Sequence, residues 1–106
     1  MMCQPKDSTM KTYSITYDLG NPGRNYEGVI AKIKELANGY CNATESHWFI
    51  NSNSKAAVIR DAIAGQMDAG DKLMVNEVGD GWGTWGLPNN VNGWLHNNWY
   101  SACRVD

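Results

Sequence analysis

A chain of 106 residues is long enough for one modest hydrophobic core and too short for two. Hydrophobic residues make up 42% and charged residues 19% of the chain, which excludes an intrinsically disordered segment and a coiled coil. The formal net charge is −2 and the two signs are interspersed, which argues against charge-driven binding of long duplex DNA.

The cysteines indicate the compartment. Cys3, Cys41 and Cys103 are odd in number and widely spaced, without a C-x-x-C pair, so we expect reduced thiols and no disulfide framework or zinc site. No apolar run approaches the roughly 18 residues of a membrane span, and the first residues lack the apolar core of a signal peptide. These features predict a cytoplasmic protein without membrane contact.

The first elements are a leader and a strand. Residues 1–10 are polar and without periodicity, which predicts a flexible leader. From Lys11 onward, Tyr13, Ile15 and Tyr17 alternate with polar residues, as in a half-buried strand. This strand ends at Asp18, before a turn with the sequence Gly-Asn-Pro-Gly.

The middle of the chain alternates between helical and strand patterns. Apolar residues at three- and four-residue spacing predict amphipathic helices over residues 26–37 and after the Ser52-Asn-Ser54 cluster, which can cap the second helix. Strand-forming residues predict short strands near 40–44, 45–51 and 72–78. The element order over residues 11–78 is that of an α+β, ferredoxin-like β-α-β-β-α-β domain.

Residues 79–106 form a C-terminal extension rich in tryptophan. A short helix is predicted from Pro88 to about residue 97. Exposed tryptophans are costly in water, so we expect the extension to pack on the sheet, on a second subunit or on a ligand. The extension contains four of the five tryptophans of the chain: Trp82, Trp85, Trp94 and Trp99.

The segment Gly81-Trp-Gly-Thr-Trp-Gly86 matches the dinucleotide-binding pattern G-x-G-x-x-G and follows a predicted strand. Only about 20 residues remain after it, too few for the helix, second strand and acidic residue that the pattern requires. We therefore interpret these glycines as residues that let a loop turn tightly around its own tryptophans.

Four segments, in this order, resemble a known family: Tyr13-Ser-Ile-Thr-Tyr-Asp18, the helix from Tyr26, Glu45-Ser-His-Trp-Phe49 and Asp71-Lys-Leu-Met-Val-Asn-Glu77. Over roughly residues 11–99, the chain resembles the small CRISPR-associated adaptation subunits. It is more similar to the stand-alone bacterial and phage proteins often labelled SinR family. The Trp85-Gly-Leu87 segment and the following Trp-Leu helix resemble the stand-alone proteins in particular.

The resemblance implies a homodimer in which the C-terminal segment of one subunit packs on the other. Some members of the family are metal-dependent nucleases, and the aspartate they use corresponds to Asp18. Other members clamp DNA through basic residues. Lysines and arginines are few here and lie largely on predicted helices, so a DNA clamp of that type is not expected.

Asp18 is the candidate catalytic and metal-binding residue. Paired copies of Asp18 in a symmetric dimer could hold Mg²⁺ or Mn²⁺, which activate water and stabilise phosphoryl charge. Alternatively, Asp18 only caps the turn that follows it. His47 could be a general base or a stacking group, or simply a half-exposed residue of the sheet.

Aromatic side chains could stack on bases, and basic and amide side chains could contact phosphate. Packing in the core or in a dimer is the alternative explanation for most of the aromatic side chains. The candidate ligand-binding residues are Tyr17, Arg24, Asn25, His47, Trp48, Trp82 and Trp85. The predicted function is a homodimeric, non-enzymatic binder of nucleic acid or of small, including cyclic, nucleotides, which would suit phage or bacterial defence. The alternatives are a metal-dependent nuclease or phosphodiesterase and a protein–protein interaction module.

Overall fold

The computed structural model describes the backbone of residues 3–4, 10–20 and 26–102, and the side chains of 10–20 and 26–101. This part of the chain is α+β. Its strands are β1 (Cys3–Gln4), β2 (Lys11–Asp18), β3 (Gly39–Thr44), β4 (His47–Ser52), β5 (Lys72–Glu77) and β6 (Ser101–Ala102). Its helices are α1 (Glu27–Leu36), α2 (Ala56–Ala64) and α3 (Asn89–Asn98).

Four of the strands form one antiparallel sheet in the order β3-β4-β2-β5. Strand β2 is central, and its Ile15 lies opposite Trp48 of β4 and Val75 of β5. Helix α1 connects β2 to β3, and α2 connects β4 to β5. Each helix therefore joins two strands that are separated in the sheet by one other strand.

Helices α1 and α2 cover one face of the sheet, which we call the helix face. Alternation along β2 and β4 sends apolar side chains to this face, where they meet the buried stripes of the two helices. The resulting core is aliphatic with two aromatic members: Tyr13, Ile15, Val29, Ile33, Trp48, Ile50, Ile59 and Ile63.

The opposite face, which we call the outer face, has a second and smaller core. Helix α3 and the segments beside it pack over β3 and β4. The buried members of this core are Cys41, Ala43, Val91, Leu95 and Trp99. The outer face above β5 and above Ser14 and Thr16 of β2 is not covered by α3, and Met74 there is 61% exposed.

A buried hydroxyl attaches the chain after α3 to the centre of the sheet. The Thr12 hydroxyl donates to Asn51 Oδ1 at 2.8 Å and accepts the backbone N–H of Tyr100 at 2.7 Å. The backbone N–H of Thr12 also donates to the carbonyl of Tyr100 at 2.9 Å. These bonds satisfy groups that are removed from water, and they fix the C-terminal segment against β2.

The predicted α+β class is confirmed, and the helices and sheet strands lie within a few residues of their predicted positions. Strand β4 begins at His47 instead of residue 45, because Glu45 and Ser46 form the turn that joins it to β3. The predicted leader also differs in part. Two of its residues, Cys3–Gln4, form β1, which pairs in parallel with β6.

Asp71 holds the start of the turn that follows β2. One carboxylate oxygen of Asp71 accepts the backbone N–H of Gly20 at 2.8 Å and the Tyr26 hydroxyl at 2.9 Å. Gly20 is required here, since a Cβ at this position would lie 2.6 Å from the carbonyl oxygen of Gly70. Residues 21–25 of the turn lie outside the described residues. No helix in the described part of the chain is long and apolar enough to cross a membrane.

Candidate functional site

The candidate site is a cleft on the outer face, between strands β3 and β4 and the loop that precedes α3. Its volume is about 280 Å³. We call it the aromatic cleft and define it by its lining residues: Ala43, Thr44, His47, Phe49, Trp82, Gly83, Thr84, Trp85, Leu87, Leu95 and Trp99.

The walls of the aromatic cleft are rings in mutual contact. The centroid of His47 lies 4.6 Å from that of Phe49, and Phe49 lies 5.6 Å from Trp99. Trp99 in turn lies 5.9 Å from Trp82. All three pairs are tilted by 38° to 51°, which is a favourable geometry for aromatic rings. The cleft therefore has a continuous aromatic surface that runs from strand β4 to the loop.

The Trp85 side chain lies at the aromatic cleft and is almost fully exposed. It is 96% exposed, whereas Trp99 is buried and Trp82 is half-buried. The loop around it turns through Gly81 and Gly86, whose φ angles of +87° and +77° disfavour side chains larger than glycine. Leaving a tryptophan side chain in water is unfavourable, so its position beside an aromatic hollow indicates a binding surface.

Hydrogen bonds hold the two ends of this loop. The Trp99 indole N–H donates to the carbonyl of Gly79 at 2.9 Å, and the Ser101 hydroxyl donates to Asp80. Nearer the tryptophan, the Thr84 hydroxyl donates to Asn92 Oδ1 on α3 at 2.6 Å. The cleft is therefore framed by fixed backbone, and Trp85 is the exposed side chain at its rim.

His47 lies where the aromatic cleft meets the uncovered part of the outer face. Its Nε2 lies 2.7 Å from the Ser14 hydroxyl oxygen on β2. Burial lowers the pKa of His47 from its ordinary value of 6.5, so the imidazole is neutral at pH 7. A neutral imidazole and a hydroxyl can each donate and accept a hydrogen bond.

The predicted ligand-binding residues separate into two groups. His47, Trp82 and Trp85 come together at the aromatic cleft. Tyr17 and Trp48 lie on the helix face instead, where the Trp48 indole N–H donates to the Tyr17 hydroxyl at 3.1 Å. Trp48 is buried there, whereas Tyr17 is half-buried and also lines two open depressions at the end of β2. Arg24 and Asn25 lie outside the described residues.

Asp18 lies at the exposed end of β2, away from the aromatic cleft. It lines two open depressions, of about 280 Å³ and about 340 Å³. Within the described part of the chain, no three His, Cys, Asp or Glu side chains are placed to hold one metal ion. A Mg²⁺ or Mn²⁺ site at Asp18 would therefore need ligands from elsewhere, such as a second copy of the chain.

Phe49, Thr84 and Ser14 belong to the site or contact it, and the sequence did not single them out. The period of two along β4 puts His47 and Phe49 on one face, so Phe49 could have been inferred once His47 was a candidate. No local signal could have paired Ser14 with His47, because that contact depends on the register between β2 and β4.

No protein-family model, curated protein or solved structure matches the chain. The resemblance to CRISPR-associated adaptation subunits therefore stays a hypothesis. What the chain binds has to be inferred from the residues of the cleft.

Proposed function

We propose that this chain is a non-enzymatic binder of a small nucleotide, whose base stacks on the tryptophans of the aromatic cleft. The observation that carries the proposal is the position of Trp85. This side chain is 96% exposed at the rim of a hollow that is already walled by Phe49 and Trp82. A planar ring in that hollow would give Trp85 the contact that the protein does not supply. Stacking of one base on an aromatic side chain contributes roughly 1–3 kcal/mol.

The size of the cleft favours one base and its sugar over a larger ligand. Its volume of about 280 Å³ is at the lower end of the range for small-molecule pockets, which is roughly 300–1,000 Å³. A drug-sized molecule would exceed this space. A single ring system with a substituent that extends past the rim fits it.

The charge of the protein favours a small ligand over a long nucleic acid. The net charge is −2, and among the described residues no lysine or arginine lines the aromatic cleft. Affinity for a long polyanion comes mostly from contacts between phosphates and basic residues. Stacking and a few neutral hydrogen bonds therefore have to supply most of the affinity here.

We propose that the domain is ferredoxin-like and related to the CRISPR-associated adaptation subunits. The sheet order and the two helical crossovers, each between strands separated by one strand, support this assignment. Because one fold serves many functions, the resemblance alone does not assign an activity to this chain.

We also propose that the protein is a homodimer. Among the described residues, β5 pairs with β2 on one side only, so its other edge has unpaired backbone groups. This edge is regular over its six residues, whereas β3 at the other side of the sheet has an irregularity near Asn42 and Thr44. A regular exposed edge readily pairs with another strand.

The test is calorimetric titration of the purified protein with the common nucleoside 5′-monophosphates, on the wild type and on Trp85→Ala. We expect one or more of them to bind the wild type. Loss of one stacking contact should weaken that binding by roughly tenfold or more in Trp85→Ala. Val58→Ala is the matched control, because Val58 is an exposed apolar residue on α2, across the sheet from the cleft.

Three outcomes would contradict the proposal. If Trp85→Ala and the wild type bound the nucleotide with equal affinity, the aromatic cleft would not be the binding site. Capture of a folded protein partner through Trp85, without nucleotide binding, would favour the interaction module. Cleavage of a nucleotide in Mg²⁺ or Mn²⁺ that Asp18→Asn abolishes would favour the phosphodiesterase.

A further inference from the structure

A neutral polar strip lies next to the aromatic cleft, on the part of the outer face that α3 leaves uncovered. Alternation along β2 and β5 places hydroxyl, amide and thioether side chains on this strip. In the sheet register, Ser14 lies between Phe49 and Asn76, and Thr16 lies between His47 and Met74. Two of the residues that border the strip, His47 and Phe49, also line the cleft.

Ser14 is the residue of the strip that is tied to the cleft. Its hydroxyl is bonded to His47 Nε2 at 2.7 Å, and it lies directly opposite Phe49 in the register. Side chains in directly opposite positions of an antiparallel pair have Cβ atoms about 4.5–5.5 Å apart. If the ring of a ligand lies beside Phe49, a substituent on that ring therefore extends out of the cleft close to the Ser14 hydroxyl.

The hydrogen-bonding capacity of the Ser14–His47 pair is not used up by the bond between them. If Ser14 donates to the imidazole, its oxygen can still accept and the other ring nitrogen carries a proton. If the imidazole donates, the Ser14 proton is free to donate. In both tautomers the pair offers a donor and an acceptor, which matches a hydroxyl group that also donates and accepts.

The charges of the strip do not favour phosphate. Asp18 and Lys72 lie opposite each other at one end, and both are exposed. The other ion pair of these strands, Lys11 with Glu77, lies on the helix face, because Glu77 is opposite Tyr13. The opposite charges of Asp18 and Lys72 offset each other, so a phosphate gains little at that end of the strip, whereas a neutral hydroxyl loses nothing.

We propose that the ligand of the aromatic cleft is a ribonucleoside unit, whose sugar hydroxyls bind the Ser14–His47 pair while any phosphate points to solvent. This inference rests on the proposed function, because it takes a base in the cleft as its premise. It adds a preference for ribose over deoxyribose and for the nucleoside over the free base. Ser14 is thereby a specificity-determining residue.

The experiment starts from the base that binds best among the nucleoside 5′-monophosphates. Calorimetric titration then compares its ribonucleoside, its 2′-deoxyribonucleoside, the free base and free ribose. We expect the ribonucleoside to bind about as tightly as the monophosphate and roughly three- to tenfold more tightly than the deoxyribonucleoside. The free base should bind at least as weakly as the deoxyribonucleoside, and ribose should not bind measurably.

Two variants test the role of the pair. Ser14→Ala and His47→Gln should each reduce or abolish the preference for ribose. In Ser14→Ala, binding of the free base should also stay within about twofold of the wild type, because Ser14 does not line the cleft. Ser46→Ala is the matched control, because Ser46 is an exposed serine in the turn before β4. That variant should keep the wild-type preference. Having two variants keeps the test valid if one of them fails to fold.

The outcomes separate the two proposals. Equal affinity for the ribonucleoside and the deoxyribonucleoside in the wild type would overturn this inference and leave base stacking in place. A monophosphate that binds at least tenfold more tightly than its nucleoside would also overturn it, in favour of phosphate recognition. If neither monophosphate nor nucleoside binds, the proposed function itself fails. Ribose that binds as tightly as the nucleoside would indicate a sugar-binding protein and overturn both.

Discussion

The two faces of the sheet differ in how their side chains are used. The helix face is closed by α1 and α2, and its core side chains, such as Ile15, Ile50 and Ile63, are fully buried. In the described part of the chain, the outer face is covered over β3, β4 and the Thr12 end of β2, and its rings are partly open to water around the aromatic cleft. The helix face therefore stabilises the fold, and the outer face is available for binding.

A substitution in the helix-face core should have the largest effect on stability, if the helix face stabilises the fold. Ile15→Ala removes a side chain with 0% exposure from the middle of the central strand. We expect it to lower the free energy of unfolding by about 2–5 kcal/mol, because it leaves a cavity that the sheet cannot close. Urea denaturation followed by far-ultraviolet circular dichroism measures the change.

The matched control is Met74→Ala, on the outer face of the neighbouring strand. Since Met74 is 61% exposed, this variant should change the stability by no more than about 0.5 kcal/mol. Similar losses in the two variants would show that the outer face over β5 is buried in solution, for instance by a second copy of the chain.

The bond network of Thr12 attaches the C-terminal segment to the outer face of the sheet, and its loss should have an intermediate effect. Thr12→Val keeps the shape of the side chain but leaves the backbone N–H of Tyr100 and the amide oxygen of Asn51 without their partner. An unsatisfied buried group costs about 1–3 kcal/mol. Urea denaturation should show that loss, with Thr16→Val on the same strand face as a near-neutral control. A neutral Thr12→Val would mean that water replaces the hydroxyl.

The smallest expected effect is the pH dependence at the edge of the cleft. Because burial lowers the pKa of His47 below 6.5, the unfolded chain takes up a proton at a higher pH than the folded chain does. The stability linked to His47 is therefore complete above about pH 6.5 and is lost as the pH falls through the pKa of the folded state. Urea denaturation between about pH 7.5 and about pH 5 should show this loss in the wild type.

His47→Gln should remove that part of the pH dependence. His96→Gln is the matched control, since His96 is an exposed histidine on α3 that does not line the aromatic cleft. If the free energy of unfolding of His47→Gln depended on pH as strongly as that of the wild type, the titration would belong to other groups.

The helix face could be predicted from the sequence because its signals are local. The alternation of Tyr13, Ile15 and Tyr17 and the spacing of Val29 and Ile33 specify which sides are buried without knowledge of the sheet. Tertiary contacts only brought those sides together. Element types and order were therefore predicted well, and boundaries were shifted where turn residues such as Glu45 interrupted a strand.

The aromatic cleft could be predicted only in part, because its members are far apart in the chain. Trp82 and Trp85 were conspicuous as tryptophans among glycines, but their contact with the surface around Phe49 depends on how the C-terminal segment returns to the sheet. The same holds for Asp71, which binds the turn at Gly20 across 51 residues. Long-range contacts of this kind leave no periodic trace in the sequence.

The free edge of β5 has a consequence for symmetry. If two copies paired there in antiparallel fashion about a twofold axis normal to the sheet, opposite residues would have to point to the same face. Opposite residues would then both have even or both have odd numbers, so one residue of β5 has to face its own copy on the axis. In the two registers that pair the most residues, that residue is Met74 or Val75. The two sheets would merge into one of eight strands with both aromatic clefts opening on the same side.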